Sequence, residues 1–126
     1  MSAMDDNPDR GSTAPYGMAI VSAPVEKAEE IGRRIVQENL AACAQCTAPV
    51  RSIYRWKGKV EEENEKLIFL KTSQRLLTKI RLLLQEVHPY EVPELVFIPF
   101  SWVSEDYLAW LGKSVSEYGN IGTKND

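Results

Sequence analysis

Within seven residues, His88-Pro89-Tyr90-Glu91-Val92-Pro93-Glu94, the chain places an imidazole, a phenol and two carboxylates. Two prolines fix the backbone of this short connector, so the side chains between them point in set directions. An imidazole held beside carboxylates suits Cu²⁺ or Zn²⁺, with His88 as principal ligand and Glu91 or Glu94 assisting. One histidine with one or two carboxylates is still an incomplete site. Further ligands would have to come from Cys43, from another subunit or from water. The competing reading is a helix-stop turn in which His88 caps a helix C-terminus.

Other candidate chemistry is thinner. Tyr54 and Trp56 fall on one face of an alternating segment, opposite Arg55 and Lys57. Such alternate aromatics belong to a core or interface, and the acidity of the chain argues against a nucleic-acid platform. Glu61, Glu62, Glu63 and Glu65 read as a solvated hairpin tip without the Asp/Asn spacing or glycine of a calcium loop. Cys43 and Cys46 are spaced Cys-x-x-Cys, but no second pair completes a zinc site. In a strand they face opposite sides of the sheet, so two reduced thiols are expected, with Cys43 packed in the core. No phosphate loop, nucleophile elbow or His-Glu-x-x-His is present, and the chain reads as a non-enzyme.

The whole chain sets the frame for these residues. At 126 residues, with 44% hydrophobic and 26% charged residues, it has room for one globular domain. A net charge of −3 and a pI of about 5.3 give no basic excess for nucleic acid or an anionic membrane. No apolar run approaches the roughly 20 residues of a membrane span, and the start lacks a secretory pattern. Residues 1–15 are expected to be a disordered arm, 16–118 the folded domain and 119–126 a flexible tail. The cytoplasm is the expected compartment.

The elements that must position the candidates follow from periodicity. Ala19-Ile20-Val21 reads as a strand. Pro24 is placed to open a helix carrying Val25, Ala28, Ile31, Ile35 and Val36, which ends near Asn39. Ala41 to Trp56 is extended but broken at Pro49, where a bulge or change of strand is expected. Gly58 marks a turn and Leu67–Lys71 the returning strand. Thr72 or Ser73 caps a helix with its stripe at Leu76, Leu77, Ile80, Leu83, Leu84 and Val87; Leu82 lies off the stripe. Leu95-Val96-Phe97-Ile98 reads as a strongly buried strand, and Ser104 opens a short last helix with Tyr107, Leu108, Leu111 and Val115 inward.

This order predicts an α+β, ferredoxin-like βαββαβ sandwich with an antiparallel sheet and a short C-terminal helix. Two helices would cover one face of the sheet. So short a chain has little left to cover the other, which predicts oligomerisation through it.

Three segments, Asn39-Leu40-Ala41-Ala42-Cys43, Ser52-Ile53-Tyr54-Arg55-Trp56-Lys57-Gly58 followed by Glu65, and His88 to Glu94, resemble the CutA family of divalent-cation tolerance proteins. The resemblance runs from about Ala19 to Val115. It implies the same fold, a homotrimer built like the PII signalling trimers, and clefts between subunits. By motif it implies that Cys43, Tyr54, Trp56, Glu65, Lys71, His88, Tyr90 and Glu94 line or support that cleft. It also implies an association with divalent metal, copper above all, in the response to metal ions. Many members carry a cysteine just before the proline after the first strand; here the segment is Val21-Ser22-Ala23-Pro24, so a mode using that thiol is closed. The expected partner is the chain itself, with no nucleic acid or membrane. Two functions are carried forward. One is a trimeric divalent-cation tolerance protein that binds metal at His88 with Glu91 or Glu94. The other is a PII-like sensor holding a small metabolite against Trp56, Lys71 and Tyr90.

Overall fold

A computed structural model describes residues 15–115 of the chain. The expected arm and tail lie outside these residues, Pro15 apart. The chain runs β1 (Tyr16–Pro24), α1 (Ala28–Gln37), β2 (Cys43–Cys46), β3 (Val50–Trp56), β4 (Lys59–Ser73), a 3-10 turn (Gln74–Leu76), α2 (Leu77–Val87), β5 (Val96–Pro99) and α3 (Glu105–Val115). The sheet order is β2–β4–β1–β5, every neighbouring pair is antiparallel, and β3 follows β2 along the same edge of β4. This is the ferredoxin-like arrangement: two strand–helix–strand units interleaved in one sheet.

Local chemistry explains the boundaries. Asn39 takes φ 62° just beyond α1. Its N–H donates to the Val36 carbonyl and that of Leu40 to the Ile35 carbonyl, the double bond that ends a helix in a left-handed residue. Ser73 Oγ accepts the Arg75 N–H at 3.4 Å and caps the 3-10 turn that leads into α2. Thr72, the other expected cap, is fully buried and donates to the Leu40 carbonyl at 2.6 Å. Lys57 and Gly58 both have positive φ, and Trp56 faces Lys59 across them, which is the tight turn a two-residue hairpin requires.

β2 and β3 are one strand interrupted. Between the pairs Cys46–Ile68 and Val50–Glu65 this strand advances four residues while β4 advances three, a one-residue bulge at Thr47–Pro49. Thr47 repairs the ladder there. Its N–H donates to the Leu67 carbonyl at 2.9 Å, and its hydroxyl oxygen accepts the Leu67 N–H at 3.0 Å.

The core lies between α1, α2 and one sheet face, with Ile31, Ile35, Ile68, Leu70, Ile80 and Leu84 almost wholly buried. Each such side chain contributes about 1.5–3 kcal/mol by leaving water. The other face carries Met18, Ile20, Leu67, Phe69, Val96 and Ile98, paired in register and half-buried or exposed. α3 covers only one end of it, its Gly112 lying against Tyr16.

Several expectations need correction. Pro24 does not open the helix. It is the last residue of β1, paired with Glu65 because β4 is long, and its carbonyl accepts the Lys27 N–H in the turn before α1. The returning strand starts at Lys59 rather than Leu67, so the glutamates lie within a strand and not at a tip. The last strand is not strongly buried: β5 is an edge strand, and Val96 and Ile98 are each 47% exposed. Cys43 is half-buried on the open face with Lys71, whereas Cys46 lies on the core face beneath Gly32 of α1. Both thiols are free.

Candidate functional site

Beyond Glu65 the long β4 leaves the body of the domain and continues with β3 as a two-stranded ribbon. On one face of that ribbon Ser52, Tyr54 and Trp56 of β3 interleave with Glu61, Glu63 and Glu65 of β4, by the register Ser52–Glu63 and Tyr54–Glu61. Arg51 is on the reverse face, where it bonds Glu62 and Asn64.

The connector after α2 comes back against the root of this ribbon. His88 ends α2 by donating its N–H to the Leu84 carbonyl and turns extended ahead of Pro89. Its ring is 7% exposed and makes two bonds. Nδ1 accepts the Tyr90 N–H at 3.1 Å, so that nitrogen carries no proton. Nε2–H is left to donate to the Ser22 carbonyl of β1 at 2.8 Å. The phenol of Tyr90 donates to Glu65 Oε2 at 2.6 Å, and the His88 and Tyr90 rings lie 4.7 Å apart. Burial first, and the Glu65 bond second, push the Tyr90 hydroxyl well above the ordinary phenol range. Tyr54 is raised as well, by burial and by Glu63, Glu61 and Glu65.

Between ribbon and connector lies a cleft of about 630 Å³. Tyr54, Trp56, Glu65, Tyr90, Glu91 and Glu94 line it, together with Ser22, Ser52, Val92 and Pro93. Tyr54, Trp56, Glu65, Tyr90 and Glu94 thus meet at one place, with Glu91 beside them. Cys43 and Lys71 do not join them: they lie further along the open face, where Lys71 donates to Gln45 Oε1 at 2.7 Å. His88 stands behind the cleft as a support. Ser22 went unforeseen, since only the β1–β4 register brings it to the cleft; Ser52 carried the signal of its place two residues before Tyr54.

The family profile described as CutA1 divalent ion tolerance protein matches residues 18–114. The chain belongs to the CutA1 family. It is 40% identical over 106 residues to the mouse Protein CutA, covering 83% of this chain and 60% of the mouse protein. With the human Protein CutA it shares 42% over 94 residues, covering 74% and 52%. The chain therefore spans just over half the length of these mammalian relatives. A Divalent-cation tolerance protein CutA of Thermus thermophilus is 37% identical over 95 residues, covering 75% of this chain and 92% of that protein. Among solved structures, CutA1 of Oryza sativa superposes with a TM-score of 0.78 at 33% identity, covering 84% of this chain and 98% of its own. The PII-like protein CutA of Nostoc, in its apo form, gives 0.73 at 33% identity, covering 79% and 96%.

The CutA1 family description raises a divalent cation as a ligand, but the residues around His88 do not fit a resident ion. Neither ring nitrogen is free, Glu91 is exposed, and Tyr90 occupies one oxygen of Glu65. Among the described residues no three His, Cys, Asp or Glu side chains gather as a ligand set. No helix among them is long and apolar enough to cross a membrane.

Proposed function

We propose that this chain is a non-catalytic divalent-cation tolerance protein that acts as a homotrimeric, PII-like sensor and holds a small ligand in the cleft between the ribbon and the connector. The observation that carries this reading is the preformed cleft, of a size suited to a small molecule. Its two walls are fixed to each other by the Tyr90–Glu65 bond and to β1 by His88. Little has to be ordered when a ligand enters, which favours binding.

Self-association is supported by the half-covered apolar face and by Val96 and Ile98 on its edge. The tolerance role is supported by the names of relatives, including that of Thermus thermophilus. Copper held by His88 is the finer form of that role. With both ring nitrogens engaged, a metal there would have to displace a buried hydrogen bond. The cytoplasm is the proposed compartment; an Arabidopsis relative is named as chloroplastic and one from Archaeoglobus as periplasmic.

Light scattering and a thermal-shift panel of metabolites, nucleotides and divalent metals test the reading together. A trimer whose melting temperature rises with a small molecule supports it. A monomer, or a trimer that responds only to metals, overturns it.

A further inference from the structure

The outward face of α2 is basic at the end where the helix begins. Arg75 in the turn before it, Lys79 and Leu82 follow one another at spacings of four and three, which sets them on one stripe. Arg81 flanks that stripe. All four side chains are exposed, Leu82 by 51%. The acids of the helical layer are committed elsewhere. Glu86, the one acid of α2, lies 4.0 Å from Arg34, which also pairs with Glu38; Glu30 pairs with Lys27 and Glu29 with Lys66. Among the described residues no carboxylate pairs with Lys79 or Arg81. α1 and α3 each carry two acids in the first turn, which suits the positive end of a helix, and α2 carries none. This layer lies on the far side of the sheet from the half-covered apolar face, so the count does not depend on the subunit expected there.

The chain holds a complement to this face, and the fold delivers it to the right place. Residues 1–14 carry Asp5, Asp6 and Asp9 against a single base, Arg10. They join the domain at Pro15, whose carbonyl accepts the Gln74 N–H at 2.9 Å, so the segment departs beside Arg75. From Gln74 to Leu82 the path along the helix is roughly 12 Å. Asp9 lies six residues before Pro15, and six extended residues reach roughly 20 Å. The tether also makes the encounter intramolecular, with an effective concentration on the order of millimolar.

We propose that residues 1–14 dock on the exposed face of α2 in the same chain, their aspartates against Arg75, Lys79 and Arg81 and Met4 over Leu82. The contact is electrostatic and exposed to solvent, so it holds in low salt and releases as salt rises. While docked, the segment covers the basic face of α2 against other acidic partners. The device is independent of the cleft and of what binds there.

The test compares amide chemical shifts of the full chain with those of the full chain carrying Asp5→Asn, Asp6→Asn and Asp9→Asn. Spectra are taken in about 20 mM and about 500 mM sodium chloride, across which screening rises steeply. In low salt the differences should cluster at residues 75–82, and in high salt they should vanish. Lys79→Gln, an exposed change, should shift the amides of residues 1–14 in the same salt-dependent way. Carbodiimide coupling in trimers assembled from equal amounts of isotope-labelled and unlabelled chain then shows which copy is reached. Links from Asp5, Asp6 or Asp9 to Lys79 should join chains of one label only and fall at least threefold in high salt. Low-salt differences absent from residues 75–82, or unchanged by salt, overturn the proposal. Links that join labelled to unlabelled chains in statistical proportion overturn it as well, because the segment then docks on another copy.

Discussion

The Tyr90 hydroxyl donates a 2.6 Å hydrogen bond to the carboxylate of Glu65, a strand residue 25 positions earlier. That contact joins the rigid connector to the root of the β3–β4 ribbon and closes the back of the cleft. Removing it leaves a buried carboxylate with no donor. Tyr90→Phe is therefore expected to lose about 1.5–3 kcal/mol, the range for a hydrogen bond to a charged group. Urea denaturation at matched protein concentration measures it, and a loss below about 0.5 kcal/mol would deny the bond its weight.

The same phenol sets an alkaline limit. Its folded value lies above the ordinary phenol value of 10.0, so the native state holds this proton more tightly than the unfolded chain. The stability it contributes is complete below about pH 10 and declines as pH rises from there toward the folded value. Wild type should therefore lose melting temperature more steeply than Tyr90→Phe between about pH 10 and pH 12. Parallel curves for the two proteins would contradict this.

His88 acts here as a buried brace. His88→Ala strands the Ser22 carbonyl and the Tyr90 N–H, and a loss of about 2–4 kcal/mol is expected. Copper titration by calorimetry separates this role from that of a ligand. The account expects the same stoichiometry in wild type and variant; loss of one equivalent would restore the imidazole as a metal ligand.

Asn39 holds a left-handed conformation at the end of α1. Asn39→Ala should cost about 1 kcal/mol, since a Cβ without a polar group is disfavoured there. Asn39→Gly should be neutral or slightly stabilising. Thermal denaturation of the pair checks the cap.

What could be read from the sequence tracks where periodicity exists. The α2 stripe, the stop at Asn39, the break at Pro49 and the shared face of Ser52, Tyr54 and Trp56 all left regular patterns. The first half of β4 left none. A ribbon with both faces outside the core has no apolar alternation, so its glutamates resembled a loop. The phase of the short β2 is fixed only by its register on β4 and by the bulge, so Cys43 was expected in the core, a place on the core side that Cys46 takes. The cleft was legible as a set of types, Tyr54, Trp56, Glu65, Tyr90 and Glu94. Its assembly was not, because the Tyr90–Glu65 and His88–Ser22 bonds join residues 25 and 66 positions apart.

The central claim is that a small ligand binds between the ribbon and the connector. Its most direct test is calorimetric titration of the strongest thermal-shift hit into wild type and Trp56→Ala. The account predicts saturable binding to wild type, with one ligand per chain, and at least tenfold weaker binding to the variant. Equal affinity for both proteins would place the ligand elsewhere and contradict it.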